Sequence, residues 1–131
     1  MIYKTHSEEE TQQIAFTLAK EYINQGVIIA LYGDLGAGKT SFSKGFARGL
    51  GIVEKVISPT FVLMRQYLIP ETQKQFYHLD LYRLEDNIDP LKSGLDEIFQ
   101  NADNLVLIEW AEKIESSLPR NVLKIKIISV K

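Results

Sequence analysis

GDLGAGKT at residues 33–40 has the G-x-x-x-x-G-K-[ST] pattern of a phosphate-binding loop. The loop follows VIIALY at residues 27–32, a short apolar run typical of a central parallel strand that is covered on both faces. Beyond the loop, apolar residues recur at helical spacing, and these are Phe42, Phe46 and Leu50. We expect Gly49 and Gly51 to end that helix. The order strand, loop and helix therefore predicts a nucleotide-binding protein.

The residue types of the loop suit a triphosphate. Gly33, Gly36 and Gly38 lack Cβ atoms, so the backbone can turn its amides inward around phosphate oxygens at the N-terminus of a helix. We expect Lys39 to reach the β and γ phosphates. Thr40 is predicted to place its hydroxyl on Mg2+, and Ser41 to donate near the α phosphate. The alternative interpretation is a glycine-rich turn whose lysine is solvated.

Length and composition limit the remaining possibilities. A chain of 131 residues suffices for one buried core, so we expect a single P-loop ATPase domain over residues 1–131. The net charge of −2 does not suggest an autonomous nucleic-acid binder. Cysteine is absent from the sequence, which excludes disulfides and thiolate metal sites, and neither histidine has the spacing of a zinc ligand pair. Without a long apolar stretch or a signal-peptide core, a cytoplasmic protein with no membrane contact is expected.

The other segments predict alternating helices and strands. Ser7 and Glu10 form a capping box before an amphipathic helix. The predicted elements are helices over 8–24 and 91–99, a weakly helical segment over 110–118, and strands over 61–69, 75–84, 105–108 and 121–130. The first two of these strands are joined near Pro70 and predict a hairpin. The fold class is therefore α/β, a P-loop NTPase-like three-layer sandwich with a mostly parallel central sheet and an antiparallel hairpin.

Two acidic residues are candidates to complete a nucleotide site. Glu109 follows four consecutive apolar residues, so a buried strand delivers its carboxylate at the edge where open α/β sheets bind ligands. Asp80 lies in a strand whose alternation puts His78, Asp80 and Tyr82 on one face. The alternatives are a charged residue that merely ends a strand and an exposed polar strand face. Lysines that alternate with apolar residues after Arg120 are interpreted as the solvated face of a last strand.

The sequence favours ATP over GTP, because it contains neither an N-K-x-D segment nor a D-x-x-G switch. Small-molecule kinases share the phosphate loop but usually carry arginines on a lid over the transferring phosphate. The arginines of this chain are scattered, and these are Arg48, Arg65, Arg83 and Arg120. A free-standing P-loop kinase is therefore the second hypothesis, and a non-hydrolysing assembly factor is the third.

Four ordered signatures resemble the bacterial TsaE (YjeE) family: GDLGAGKT at 33–40, SPTF at 58–61, HLDLYR at 78–83 and EWAE at 109–112. The resemblance extends from about Thr5 to the C-terminal strand. It implies an ATPase needed to make N6-threonylcarbamoyladenosine, the modified base beside the anticodon of tRNAs that read ANN codons. It also implies the partners TsaB and TsaD, which transfer the threonylcarbamoyl group, with tRNA reached indirectly through the complex.

The resemblance assigns roles to individual residues. The segment Gly36, Ala37, Gly38, Lys39, Thr40 and Ser41 would bind the ATP phosphates, and Thr40 with Glu109 would hold Mg2+. Lys39, Asp80 and Glu109 would be the catalytic residues, Asp80 by orienting water or metal. Thr11 matches a position near the nucleotide, with a surface hydroxyl as the alternative. Ser58–Thr60 would form a mobile loop near the γ phosphate, and Trp110 would pack beside the site or in the core.

Overall fold

A mostly parallel sheet forms the centre of the computed structural model, which describes residues 6–33, 38–53, 64–81 and 94–128. The strands of these ranges are β1 (Val27–Tyr32), β2 (Met64–Leu68), β3 (Gln75–Asp80), β4 (Leu105–Glu109) and β5 (Leu123–Lys126). Their order is β2-β3-β4-β1-β5. The pairs β3-β4, β4-β1 and β1-β5 are parallel, and only β2-β3 is antiparallel. This arrangement confirms the predicted α/β class with its antiparallel hairpin.

Helices cover both faces of the sheet. They are α1 (Glu8–Tyr22), α2 (Lys39–Gly49), α3 (Leu95–Gln100) and a 3-10 helix (Ala111–Ser117). One buried cluster joins α1 and α2 to one face of the sheet, and a second cluster joins α3 and the 3-10 helix to the other face. β1 and the first four residues of β4 are apolar because each face of these strands meets one of the clusters. The result is the predicted three-layer sandwich.

The start of α1 has the predicted capping box with one change. The Ser7 hydroxyl accepts a hydrogen bond from the Glu10 amide at 3.2 Å. The Glu10 carboxylate accepts from the His6 amide at 2.5 Å, one residue before the N-cap. At the other end, the predicted helix over 8–24 stops at Tyr22, because the Gly26 amide bonds to the Tyr22 carbonyl at 3.0 Å and the chain turns into β1.

The prediction that Gly49 and Gly51 end α2 is confirmed. Gly49 is the last residue of the helix, and the left-handed residue after its C-cap is Gly51, with a φ of 84°. Gly49 also serves helix packing: a Cβ there would lie 2.5 Å from the Phe16 carbonyl oxygen, and one on Gly45 would lie 2.2 Å from the Gln12 carbonyl oxygen. Since both distances are far below van der Waals contact, the two glycines are what allows α1 to lie against α2.

The remaining elements follow the predictions with shorter bounds. Residues 61–69 and 75–84 form a hairpin over their described parts, with the chain turning through residues 69–74. The segment 110–118 is a 3-10 helix with a kink at Ile114, and the last strand ends at Lys126 rather than Val130 within the described chain. Residues 58–63, 82–84, 91–93 and 129–130 of predicted segments lie outside the described residues. Among the described helices, none has the length and apolar character to cross a membrane.

Candidate functional site

The candidate site lies at the carboxyl ends of β1, β3 and β4, where open α/β sheets bind their ligands. Asp80 and Glu109, the last residues of β3 and β4, are register partners, and Leu31 of β1 is the partner of Glu109 on its other side. Alternation from the core residues Phe76 and Leu107 puts the side chains of Asp80 and Glu109 on the face covered by α1 and α2. The fold therefore brings together Asp80 and Glu109, the two acidic residues that were predicted from the sequence as candidates to complete a nucleotide site.

The N-terminus of α2 begins at the same edge. Its N-cap Gly38 is left-handed with a φ of 106°, and no described side chain caps the helix or puts an acid in its first turn. An uncapped helix N-terminus presents amide groups and positive partial charge to an anion. A Cβ on Gly38 would lie 4.0 Å from Cγ2 of Thr11, so Thr11 lies beside this terminus. Its hydroxyl donates to the Ser7 carbonyl at 3.3 Å.

Lys39 is buried at this edge, not solvated. Only 4% of the residue is exposed, and its Nζ donates to the Gly33 carbonyl at 2.5 Å. The same Nζ lies 3.4 Å from the centroid of the Trp110 ring. The carbonyl and the negative face of the indole both attract the ammonium, which replaces part of its lost hydration. The structure thus holds the loop lysine at the end of β1, against the alternative of a lysine in solvent.

Trp110 takes a backbone conformation that is uncommon for an aromatic residue. Its φ of 61° and ψ of 44° are left-handed, although its side chain is bulky. Such conformations cost roughly 1–3 kcal/mol and persist where the surrounding structure requires them, often at functional sites. Here the left-handed residue ends β4 directly after Glu109 and starts the 3-10 helix. The turn places the indole over Lys39, so the predicted position of Trp110 beside the site agrees with the structure.

Glu109 is a buried carboxylate with two hydrogen bonds on one oxygen. It is 3% exposed, and its Oε2 lies 2.5 Å from His78 Nε2 and 3.2 Å from Ser43 Oγ. His78 has no exposed surface, and its Nδ1 has no partner among the described residues. A bare nitrogen lone pair at Nδ1 is less costly to bury than an unsatisfied N–H, which favours the proton on Nε2, facing Glu109. The interpretation of residues 78–82 as an exposed polar face is therefore wrong for His78.

Ser43 connects this carboxylate to the start of α2. Its hydroxyl lies 3.0 Å from the Lys39 carbonyl and 3.2 Å from Glu109 Oε2. Ser43 was not predicted as a site residue, and no contact between His78 and Glu109 was predicted. Ser43 is one helical turn beyond Lys39 and His78 is two residues before Asp80, so their spacing put each on the correct face. The pairing of β3 with β4, which brings His78 against Glu109, could not be predicted from this spacing.

A second polar cluster lies on the opposite side of the site. Tyr32, Gly33, Trp110, Glu112, Lys124 and Lys126 line a concavity of about 360 Å³. The Tyr32 hydroxyl donates to the Glu115 carboxylate, which Lys124 contacts at 2.7 Å. Burial first, and then the hydrogen bond to Glu115, raise the pKa of Tyr32 above its ordinary value. The hydrogen bond from Lys124 is the main cause that lowers the pKa of Glu115. The phenol is therefore neutral and the carboxylate ionised near neutral pH.

The other predicted residues divide into two groups. Thr40 and Ser41 lie in the first turn of α2, Thr40 exposed and Ser41 half-buried. Gly36, Ala37 and the loop at 58–60 lie outside the described residues. The donors at this edge are hard oxygens, a threonine hydroxyl and neighbouring carboxylates. Mg2+ in nucleotide sites takes one or two such protein oxygens and fills its octahedron with phosphate oxygens and water. The residues present therefore fit Mg2+.

Comparisons with known proteins agree on one family. A sequence model of the family described as "Threonylcarbamoyl adenosine biosynthesis protein TsaE" matches residues 5–131. The tRNA threonylcarbamoyladenosine biosynthesis protein TsaE of Bacillus subtilis is 44% identical over 128 residues, which are 95% of this chain and 75% of that protein. The protein of the same name from Haemophilus influenzae is 40% identical over 82% of this chain and 66% of its own. The crystal structure of Bacillus subtilis YdiB, 39% identical, superposes with a TM-score of 0.77 over 98% of this chain and 76% of that one.

Proposed function

The chain belongs to the TsaE family of threonylcarbamoyl adenosine biosynthesis proteins, and from this premise we propose that it binds and hydrolyses ATP in the N6-threonylcarbamoyladenosine modification of tRNAs that read ANN codons. In this proposal, residues 1–131 act as a single P-loop ATPase domain in the cytoplasm. TsaB and TsaD are the protein partners. The tRNA is reached through their complex.

One observation carries the proposal: the uncapped start of α2 and the buried carboxylate of Glu109 meet at one edge of the sheet. Ser43 lies within hydrogen-bond distance of both Lys39 and Glu109, and Trp110, the neighbour of Glu109, contacts Lys39 Nζ. A helix N-terminus and a lysine bind the phosphates of a nucleotide, and a carboxylate at the end of the adjacent strand holds the metal side of the same site. Each of these groups is buried or held by contacts, so little has to be ordered when the ligand binds.

Binding of ATP exchanges the contacts of Lys39. Its Nζ leaves the Gly33 carbonyl and the Trp110 ring and moves onto the β and γ phosphates. The amides of residues 33–41 turn toward the phosphate oxygens. Thr11 borders the site on the α1 side, where it lies beside Gly38. The exchange is favourable because a lysine hydrogen bond to a phosphate joins two ionised groups of opposite charge, whereas the Gly33 carbonyl is neutral.

Hydrolysis uses the acidic pair. Mg2+, when bound, neutralises charge on the β and γ phosphates and fixes their geometry. Thr40 and Glu109 hold it, directly or through water, while Asp80, the register partner of Glu109, orients the attacking water. Asp80 carries this role because it is half-buried beside Glu109 and faces the same layer.

In this proposal, ATP binding and hydrolysis change the affinity of the chain for TsaD and TsaB. We propose that TsaD and TsaB bind the ATP-bound form of the chain more tightly than its other forms, and that hydrolysis resets the complex between turnovers. Equal binding of TsaD and TsaB in the presence of ATP, of ADP and of no nucleotide would contradict this coupling, because a ligand shifts an equilibrium only through a difference in affinity.

The test is ATP hydrolysis by the chain alone and with TsaB and TsaD. We expect low activity alone, stimulation by the partners, and loss of both activities in Lys39→Ala. Lys44→Ala is the matched control, since Lys44 is an exposed lysine on the same helix. Transfer of phosphate from ATP to a metabolite without partners would indicate a small-molecule kinase instead. Binding of ATP and partners with no cleavage would indicate an assembly factor.

A further inference from the structure

Two side chains, His78 and Ser43, lie within hydrogen-bond distance of the Glu109 carboxylate, and neither belongs to the GDLGAGKT motif. Both His78 Nε2 and Ser43 Oγ lie on the same oxygen, Oε2, at 2.5 and 3.2 Å. They come from different elements, β3 and α2, and approach the carboxylate on the face of the sheet that α1 and α2 cover. His78 is itself fixed, because it has no exposed surface and its ring is stacked on Phe76 with centroids 6.3 Å apart. The direction of the carboxylate is therefore set by rigid neighbours.

Removing a charged oxygen from water is costly. A carboxylate that merely ended a buried strand would therefore be stabilised best by hydrogen bonds to both of its oxygens. Among the described residues, the hydrogen bonds to Glu109 fall on Oε2 alone. One oxygen is thus anchored, and Oε1 remains as the acceptor for a further ligand. Groups that anchor one side of a metal-binding carboxylate in this way orient it and tune its affinity for the metal.

We propose that Ser43 and His78 are positioning residues that hold Oε2 of Glu109 so that Oε1 is available to Mg2+ or to a water bound to it. The proposal rests on the proposed function, because it assumes that Glu109 serves the metal side of the nucleotide site. It assigns no contact between either residue and the nucleotide. Both act only through the carboxylate.

Ser43 has a second part in this arrangement. Its single O–H is shared between two acceptors, Glu109 Oε2 at 3.2 Å and, at 3.0 Å, the carbonyl of Lys39, the first residue of α2. Ser43 therefore helps to fix the position of the Glu109 carboxylate relative to the first turn of α2, which carries Thr40, the other proposed metal ligand. Loss of the hydroxyl should weaken the metal site without altering the phosphate-binding amides, because those belong to the backbone of the loop.

Two amide substitutions of His78 separate positioning from simple packing. In Gln the terminal nitrogen takes the place of Nε2, which faces Glu109, whereas in Asn it takes the place of Nδ1, which has no partner among the described residues. The two side chains share their chemistry and differ in which ring nitrogen they replace. His78→Gln should therefore restore what His78→Asn loses.

The experiment measures nucleotide affinity by calorimetry, with ATP and Mg2+ and with ATP in excess EDTA. We expect Ser43→Ala and His78→Asn to lose roughly 10- to 100-fold in affinity for Mg2+-loaded ATP and to keep the wild-type affinity in EDTA. His78→Gln should behave like the wild type. Asn104→Ala is the control for a buried polar deletion, because Asn104 bonds to the Ile98 carbonyl at the far end of β4. It should lower the melting temperature and leave both affinities unchanged.

Three results would overturn the inference. One is an unchanged Mg2+ dependence in Ser43→Ala, which remains testable if His78→Asn fails to fold. Another is an equal loss of affinity with Mg2+ and in EDTA, which would indicate a general structural role. The third is equal behaviour of His78→Gln and His78→Asn. If the wild type takes up no nucleotide, the proposed function fails and the inference with it. If the wild type binds and the variants match it, only the inference fails.

Discussion

Lys39 Nζ lies 3.4 Å from the centroid of the Trp110 ring, so the first residue of α2 contacts the residue that follows β4. A cation over an indole is stabilised by roughly 0.5–2 kcal/mol, more where the pair is desolvated. The contact has a functional consequence, because the lysine that forms it is the one proposed to move onto the phosphates. We therefore expect the surroundings of the Trp110 ring to change when Lys39 moves onto the phosphates.

The fluorescence of Trp110 should report nucleotide binding. It is the single tryptophan of the chain, and withdrawal of the ammonium from its ring changes its environment. We expect a saturable change in emission when ATP and Mg2+ are added, and none in Lys39→Ala. Lys44→Ala should respond like the wild type. An unchanged emission under conditions where calorimetry registers binding would show that Lys39 stays on the indole.

Glu109→Gln should separate catalysis from folding. The amide keeps the volume of the side chain and an oxygen that accepts from Ser43 and His78, but it loses the charge that the metal requires. Because a bound metal supplies several kcal/mol of charge stabilisation, we expect the rate of ATP hydrolysis to fall by about 100-fold or more. The melting temperature should change little. Glu97→Gln, at an exposed position of α3, is the control, and full activity in Glu109→Gln would remove Glu109 from the site.

Gly45→Ala should destabilise the contact between α1 and α2. The added Cβ would lie 2.2 Å from the Gln12 carbonyl oxygen, so one helix must shift. We expect the free energy of unfolding, measured by urea titration, to fall by about 1–3 kcal/mol. Gly94→Ala is the comparison, because Gly94 has a φ of 82° with open space around it and tests the backbone cost alone, about 1 kcal/mol. A smaller loss in Gly45→Ala than in Gly94→Ala would contradict the packing argument.

Glu115 should contribute stability that depends on pH. Its pKa is lower in the folded chain than the ordinary value of 4.5, chiefly because Lys124 donates to it. The stabilisation is therefore fully present above the ordinary value and is lost as the pH falls through the lowered folded-state pKa. Since the pair is about half exposed, solvent screening limits it to roughly 0.2–1 kcal/mol.

The comparison of Glu115→Gln with the wild type tests this contribution by urea titration over a range of pH. The difference in the free energy of unfolding should be present near neutral pH and disappear in acid. Glu21→Gln, at an exposed position of α1, should show no such trend. A difference that grows as the pH falls would have the wrong sign for this explanation.

The parts of the fold that local pattern determines could be predicted from the sequence. The bounds of β1 were predicted without error, because an apolar run between Gly26 and Gly33 has few alternatives. The start of α1 followed from Ser7 and Glu10, which satisfy helix amides within one turn. Glu109 was selected because a buried strand that ends in a carboxylate leaves few places for the charge except the ligand-binding edge.

The parts that depend on distant pairing could not be predicted. The burial of His78 follows from the register of β3 with β4, which joins segments 31 residues apart in the contact with Glu109. The packing role of Gly49 could not be predicted, because its close approach to Phe16 depends on where α1 lies. The left-handed conformation of Trp110 has no local signal, since bulky residues rarely adopt it.

The most direct test of the account is a calorimetric titration of the wild-type chain and of Lys39→Ala with ATP and Mg2+. We expect saturable binding to the wild type and a loss of roughly 10- to 100-fold in affinity in Lys39→Ala, since one charge-assisted hydrogen bond contributes about 1.5–3 kcal/mol. Lys44→Ala should bind like the wild type. No uptake by the wild type, or equal uptake by Lys39→Ala, would contradict the claim that residues 33–41 form a triphosphate site.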